Sequence, residues 1–300
     1  MPRTLLALTI RSLTAVLMIC CDWAFADIII DNYSSATNDR FQNSDVPDQF
    51  FVSSDLSGVG QDSSGRWATL IGPNTIISAN HLAPSGTVSF YPDNLATSIR
   101  IDIPISVDVQ RIGNTDLWLA RLEQYAPTTI RVFDYARQQI TAPTAPVGPG
   151  SNFPFKGANV VMTGRSPASF PAAQDQAYGT NVISGFVEDD TSAGLGSVDA
   201  FRLDYNTGGT PFEAFLQSGD SGAPLFTADG NGQLLLLGVN SYTSSTLTGT
   251  PVASFVSYIG NDSSSVDSLV SQWAAVPEPN CLFWGPASAL LFSLQRRRRS

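Results

Sequence analysis

The sequence predicts an all-β fold built in two halves, and three observations lead to this prediction. Short β-branched runs recur along the chain and end in Gly, Pro, Asn or Asp, as strands joined by turns do. Long amphipathic helical patterns are rare, while 24 Gly and 19 Pro are spread over the 300 residues. The stretch 141–154 is rich in Pro and Gly and carries no charge. It predicts a linker between a first half, 27–140, and a second half, 155–275.

Individual elements follow from local patterns. The clearest is a hairpin in which strands at 67–71 and 75–78 flank the turn Gly72–Asn74. The Gly- and Ser-rich stretch 56–66 predicts a loop, and apolar residues at helical spacing in 266–273 predict a short closing helix. The remaining strand candidates are 28–30, 88–91, 98–101, 105–109, 117–122, 158–162, 182–187, 200–204, 234–242 and 252–259.

The amino terminus has the parts of a secretory signal. Basic residues accompany the apolar run 13–19, and a small-x-small cleavage site ends at Ala26. We therefore expect residues 1–26 to be a signal peptide that is removed on export. Cys20 leaves a lipoprotein signal as an alternative, which the bulky Ile19 before it disfavours.

The carboxyl terminus, 276–300, has three parts: Val276–Pro279, the mainly apolar run 281–294, and four arginines, Arg296–Arg299. The apolar run is short for a membrane span, and the arginines would stay on the cytoplasmic side. This tail resembles the PEP-CTERM sorting signal of Gram-negative bacteria. The resemblance implies transient inner-membrane association, export, and removal of the tail by an exosortase-type enzyme, so that the protein is at the cell surface, in the extracellular matrix or secreted. A plain membrane anchor with a basic stop is the alternative.

Charge and cysteine content argue against several kinds of partner. The formal net charge is −10, and an acidic surface repels nucleic acid and anionic membranes. The three cysteines, Cys20, Cys21 and Cys281, all lie in the terminal segments, so the region between them has neither a disulfide nor a thiolate metal site. We expect no nucleic-acid partner for the folded part, and neither a metal ion nor a cofactor.

The stretch 217–224 places Ser221 beside an aspartate and between glycines, after one apolar run and before another. Glycines let the backbone turn sharply and leave neighbouring N–H groups bare. An activated nucleophile with an oxyanion hole requires both features. A tight turn between two strands has the same composition, so this stretch alone leaves both interpretations open.

Two residues in the first half of the chain favour the interpretation of Ser221 as a nucleophile. His81, the only histidine, directly follows the predicted hairpin, and Asp116 stands where a loop enters a strand. Each is ordinary alone, but with Ser221 they supply the hydroxyl, imidazole and carboxylate that nucleophilic hydrolysis needs. The order His, Asp, Ser excludes α/β-hydrolases, in which the histidine follows the serine, and subtilisins, in which the aspartate comes first.

Four segments, namely Ile77–His81, Asp116–Leu122, Gly219–Pro224 and Gly238–Tyr242, carry a resemblance to a known family. Taken together in this order, they resemble the trypsin/chymotrypsin-like serine proteases. The resemblance implies two antiparallel six-stranded β-barrels, with the active site in the cleft between them.

Matching positions imply roles for the site residues. Ser221 would be the nucleophile, His81 the general base and then acid, and Asp116 the carboxylate that orients the imidazole. The backbone N–H groups of Gly219 and Ser221 would form the oxyanion hole. Ser241 would support the aspartate, and its strand would bind an extended peptide by strand addition.

The resemblance also implies a specificity pocket. Phe215 stands at its base, where an acid would select Arg or Lys, and Thr243 narrows it. A non-tryptic preference for small or apolar residues follows as a hypothesis. Asp220 would pair with a new amino terminus released on activation, for which Ile28 is a candidate. The residues expected to bind substrate are Phe215, Leu216, Ser241, Tyr242 and Thr243.

These expectations together favour an exported serine endopeptidase that acts on proteins or peptides. A non-catalytic surface or matrix module on the same fold is one alternative. An esterase is another, because the same triad hydrolyses both amides and esters.

Overall fold

The computed structural model describes residues 26–41, 55–141, 152–168, 170–206 and 208–275. Residues 1–25 of the signal peptide predicted at 1–26, most of the predicted linker, and the tail predicted at 276–300 lie outside the described residues. They stay predictions.

The first half folds into a closed six-stranded antiparallel barrel, preceded by an amino-terminal arm. The arm carries strand β1 (Ile29–Ile30) and helix α1 (Ser35–Asn38). The barrel strands are β2 (Val59–Asp62), β3 (Trp67–Gly72), β4 (Thr75–Ala79), β5 (Thr87–Phe90), β6 (Ile101–Arg111) and β7 (Leu117–Leu122). They pair in the order β2-β3-β4-β7-β6-β5, and β5 closes on β2. Apolar side chains such as Leu70, Ile76 and Ile103 fill the interior.

Two sequence predictions in this half are corrected. β2 lies within 56–66, which was expected to be a loop. A Cβ on its Gly60 would come within 2.7 Å of the Ser89 carbonyl oxygen, so this glycine marks close strand packing and not a turn. The strand expected at 98–101 is not formed as such, because residues 98–100 precede β6, whereas the strand expected at 105–109 is part of this longer strand, in which Pro104 pairs opposite Thr87.

The second half forms an antiparallel sheet. Its strands are β8 (Asn159–Gly164), β9 (Ala177–Val182), β10 (Gly185–Asp190), β11 (Val198–Asp204), β12 (Ala214–Phe215), β13 (Pro224–Ala228), β14 (Leu234–Ser245) and β15 (Pro251–Tyr258). Seven of them pair in the order β10-β11-β15-β14-β13-β8-β9, while β12 pairs with β1 of the arm.

This sheet differs from the second six-stranded barrel that was expected. In the part of the chain that the structure describes, it has seven strands and its two edge strands, β9 and β10, do not pair. The outer edge of β9 is used elsewhere. The Thr180 N–H donates to the Phe212 carbonyl at 2.9 Å, and Asp39 of the arm forms a bridge with Ala177. Because other segments occupy this edge, β9 is not available to pair with β10 and close the sheet.

One apolar core extends across both halves and joins Trp67 and Leu119 of the barrel to Met162 and Leu225 of the sheet. The closing helix is confirmed as α2 (Ser263–Ala274), whose Val266, Leu269 and Trp273 are among its buried residues. α2 follows the sheet in sequence but contacts strands β3 and β4 of the barrel. The Asn74 amide in the β3–β4 turn donates to the Trp273 carbonyl at 3.1 Å. The helix therefore ties the carboxyl end of the second half to the first.

Candidate active site

His81 and Asp116 are brought together by strand pairing in the barrel. His81 lies in a single 3-10 turn directly after β4, and Asp116 directly precedes β7. β4 and β7 are paired so that Ala79 lies opposite Leu117. The His81 Nδ1 atom is 2.8 Å and 3.0 Å from the two carboxylate oxygens of Asp116, and the His81 backbone N–H donates to the same carboxylate at 3.1 Å.

The Asp116 carboxylate is fully buried and has a further donor from the second half. The Ser241 hydroxyl donates to its Oδ2 atom at 2.5 Å. A carboxylate only accepts hydrogen bonds when ionised, so the His81 nitrogen that faces it carries the proton. This fixes the tautomer in which His81 Nε2 is an acceptor.

Ser221 completes the hydrogen-bond chain. Its Oγ atom is 2.8 Å from His81 Nε2, so the hydroxyl donates to the unprotonated nitrogen. His81 retains side-chain exposure of 28%, whereas Asp116 has none. In this series of hydrogen bonds, the Ser221 hydroxyl is therefore at the solvent-accessible end, and the Asp116 carboxylate is at the end that is buried from water.

The backbone turn around Ser221 needs glycine on both sides. Gly219 has φ +105° and Gly222 has φ +88°, a region that residues with a Cβ rarely adopt. A Cβ on Gly222 would also lie 2.3 Å from the Ser78 hydroxyl oxygen. Both conformation and space therefore exclude a side chain at position 222.

Among the described residues, the same turn leaves two N–H groups without a hydrogen-bond acceptor. The N–H groups of Asp220, Gly222 and Ala223 donate to carbonyls of the chain. Within the described ranges, those of Gly219 and Ser221 have no acceptor. Two free donors beside the Ser221 hydroxyl are what an oxyanion hole requires.

A cavity of about 190 Å³ opens next to Ser221. None of the described residues that line it has a charged side chain. Four of the five residues predicted to bind substrate contribute to it, together with Gln217, Ser218 and Asn240, which were not among the predicted ones. Its lining residues are Leu216, Gln217, Ser218, Ser221, Asn240, Ser241, Tyr242 and Thr243.

Phe215 is the predicted pocket residue that the structure does not place in this lining. It is buried in β12, where it pairs with Ile29 of the arm. Its ring centroid is 5.6 Å from that of Tyr205. Successive side chains of an extended segment point to opposite faces, and here it is the neighbouring Leu216 that lines the cavity.

Strand β14 presents an open edge beside the cavity. β14 pairs with β15 as far as Ser245, but with β13 only as far as Val239. The Ser241 carbonyl at the start of this open edge is 3.4 Å from the Ser221 hydroxyl. Tyr242 is fixed by stacking on Phe255, with ring centroids 4.5 Å apart and an interplanar angle of 6°.

Asp220 is fully buried, and its partners are backbone groups. Its two oxygens accept the N–H of Arg165 at 2.8 Å and the N–H of Gln217 at 2.7 Å. Burial outweighs these bonds and raises the pKa of the carboxyl to about 8. The pairing expected with a new terminus at Ile28 is not formed in this chain, because the Ile28 N–H donates to the Arg165 carbonyl at 3.1 Å. Ile28 nevertheless lies close by: a Cβ on Gly164 would be 2.7 Å from both the Ile28 Cβ and the Asp220 carboxylate.

Two further features concern the described ranges as a whole. No three His, Cys, Asp or Glu side chains in them are grouped as around a metal ion. None of their helices combines the length and apolar character that crossing a bilayer requires.

The sequence was also compared with known proteins. No model of a protein family matches the chain. No curated protein matches it either.

Proposed function

We propose that this protein is an exported serine endopeptidase, related to the trypsin/chymotrypsin-like enzymes, that cleaves peptide bonds through an acyl-enzyme. The observation that carries the proposal is the unbroken series of hydrogen bonds from Asp116 through His81 to Ser221. The distance is 2.8 Å both from Asp116 Oδ2 to His81 Nδ1 and from His81 Nε2 to Ser221 Oγ. A turn that served only to connect strands would need neither this chain nor two free N–H groups beside the hydroxyl.

The proposed reaction follows from the protonation states. The Ser221 oxygen attacks the peptide carbonyl while its proton passes to His81 Nε2. The Asp116 carboxylate stabilises the imidazolium that results. The oxyanion accepts hydrogen bonds from the N–H groups of Gly219 and Ser221, each worth about 10²–10³ in rate in comparable sites.

Collapse of this intermediate breaks the C–N bond, and His81 gives its proton to the leaving amine. A water molecule then attacks the acyl ester, with His81 again taking the proton. When the ester bond breaks, His81 returns this proton to the Ser221 oxygen, which restores the free hydroxyl and the neutral imidazole.

The cavity and the open edge of β14 support a peptide as the substrate. An extended peptide can add to the edge that begins at Ser241, with main-chain hydrogen bonds holding it in register. Its side chain next to the scissile bond would enter the cavity. Because none of the described residues that line that cavity is charged, a basic side chain would lack a counter-ion among them, which favours uncharged residues at this position.

The proposal includes the fate of the two ends of the chain. Residues 1–26 direct export, and the tail 276–300 holds the protein at the inner membrane until an exosortase-type enzyme removes it. The protein then acts at the cell surface, in the extracellular matrix or in secreted form. The intact mass of the exported protein tests this, since it should correspond to a chain that begins at Asp27 and ends near Val276. Replacing Arg296–Arg299 by serine should prevent the second cut.

Hydrolysis of a mixed peptide library by the purified protein tests the catalytic proposal. We expect cleavage by the natural protein and none by Ser221→Ala or His81→Ala. Ser264→Ala, in an exposed position on α2, is the matched control and should cleave normally.

The other outcomes assign the protein differently. Hydrolysis of esters without cleavage of any peptide would make the protein an esterase. Folded protein that hydrolyses neither would leave a binding module on the same fold.

A further inference from the structure

Trp67 of the barrel contacts the loop that carries the candidate oxyanion donors. Its side chain is fully buried, and its indole N–H donates to the Gly219 carbonyl at 3.2 Å. The two residues are 152 positions apart and belong to different halves of the molecule. Other buried tryptophans, such as Trp273, have no indole hydrogen bond among the described residues.

In the full chain every carbonyl group of the loop 217–220 accepts a hydrogen bond, at distances between 2.8 Å and 3.2 Å. Taken in order from residue 217 to residue 220, the donors are the N–H groups of Asp220 and Ala26, the Trp67 indole and the N–H of Ala223. The donor to the Ser218 carbonyl, Ala26, belongs to the predicted signal peptide, so the other three bonds hold the loop in the exported protein.

The peptide unit that Trp67 holds lies between the two candidate donors. The N–H of Gly219 belongs to the preceding peptide unit, and the N–H of Ser221 belongs to the following one. Glycine adopts either sign of φ readily, so Gly219 is the point at which this loop can rotate most easily. The indole hydrogen bond opposes rotation of the unit that joins Gly219 to Asp220.

We propose that Trp67 is a positioning residue of the reaction, which keeps the Gly219 and Ser221 N–H groups directed at the oxyanion. The inference rests on the proposed function. It adds that the barrel, which supplies the histidine and the aspartate, also determines the shape of the oxyanion loop in the other half. Loss of this hydrogen bond should weaken transition-state binding and leave ground-state binding of substrate unchanged.

The test compares Trp67→Phe with Trp273→Phe in the full protein. Trp67→Phe should lower kcat roughly threefold to tenfold, the range that one neutral hydrogen bond is worth, with KM unchanged. Affinity for a peptide boronic acid, which forms a tetrahedral adduct on the serine, should fall by the same factor. Trp273→Phe should change neither quantity.

A second variant covers the case in which Trp67→Phe fails to fold. β-(3-Benzothienyl)alanine at position 67 keeps the shape of the ring and replaces the N–H by sulfur, and it should reproduce the loss in kcat and boronate affinity. Unchanged values in this variant, or an effect on KM and thermal stability alone, would overturn the inference while the peptidase activity stands. An unmodified protein that cleaves no peptide and binds no boronate would remove the proposed function and this inference with it.

Discussion

Replacing Ser241 by alanine removes a hydrogen bond that the second half gives to the buried carboxylate of Asp116. The hydroxyl donates at 2.5 Å, and both residues are almost completely buried, at 4% and 0% exposure. Hydrogen bonds to charged groups contribute about 1.5–3 kcal/mol, and water cannot reach this carboxylate to replace the lost donor. We therefore expect Ser241→Ala to lower the free energy of unfolding by about 2 kcal/mol. The same change should lower kcat/KM by about tenfold, which corresponds to about 1.4 kcal/mol of lost transition-state stabilisation, because Asp116 would be held less firmly against the His81 imidazole.

Ser89→Ala is the matched control for this prediction. The Ser89 hydroxyl also donates to a carboxylate, that of Asp102, at 2.7 Å. The Asp102 side chain, however, is 40% exposed. Water replaces the lost donor there, so the expected loss is below about 1 kcal/mol. Denaturation in guanidinium chloride at pH 7, extrapolated to water, measures both variants. Equal losses in the two, or full activity in Ser241→Ala, would refute the reasoning.

Two further predictions concern the turn that holds Ser221. Gly222→Ala should destabilise the protein by well over 1 kcal/mol and abolish activity, because its Cβ would overlap Ser78. The control is Gly232→Ala, at φ +76° with nothing within 4 Å of the new Cβ, which has only the conformational cost. Equal melting temperatures of the two variants would contradict the prediction. Burial raises the pKa of Asp220 to about 8, against about 3.9 in an unfolded chain. The folded state therefore holds a proton that the unfolded state releases, and this residue makes the free energy of unfolding fall as pH rises from about 4 to about 8. Asp220→Asn should reduce this pH dependence of the free energy of unfolding, as measured from denaturation curves recorded between about pH 4 and about pH 8. If the free energy of unfolding of the variant falls with pH as steeply as that of the natural protein, the prediction is wrong.

The candidate triad could be predicted from the sequence because each of its residues lies in a distinct local pattern. Ser221 stands in a glycine turn, His81 follows a hairpin, and Asp116 begins a strand. The residues that shape the site around them carry no such pattern. Trp67 lies in a strand and is far from residue 219 in sequence, so only the packing of the two halves reveals their contact.

Pocket residues depend on details that sequence position does not determine. A shift of one residue in an extended segment exchanges the inner and outer faces, so Leu216 lines the cavity and Phe215 does not. The absence of closure in the second sheet has a similar cause. Its β9 edge is occupied by Asp39 and by the segment before β12, and these contacts join parts of the chain that are far apart in sequence.

The central claim is that Ser221 is a nucleophile activated by His81. Its most direct measurement is the reaction of the purified protein with a fluorophosphonate, followed by identification of the labelled peptide by mass spectrometry. We predict a single adduct on Ser221 that forms in the natural protein and in Ser264→Ala, but not in His81→Ala. Labelling at another residue, no labelling of folded protein, or undiminished labelling of His81→Ala would contradict the claim.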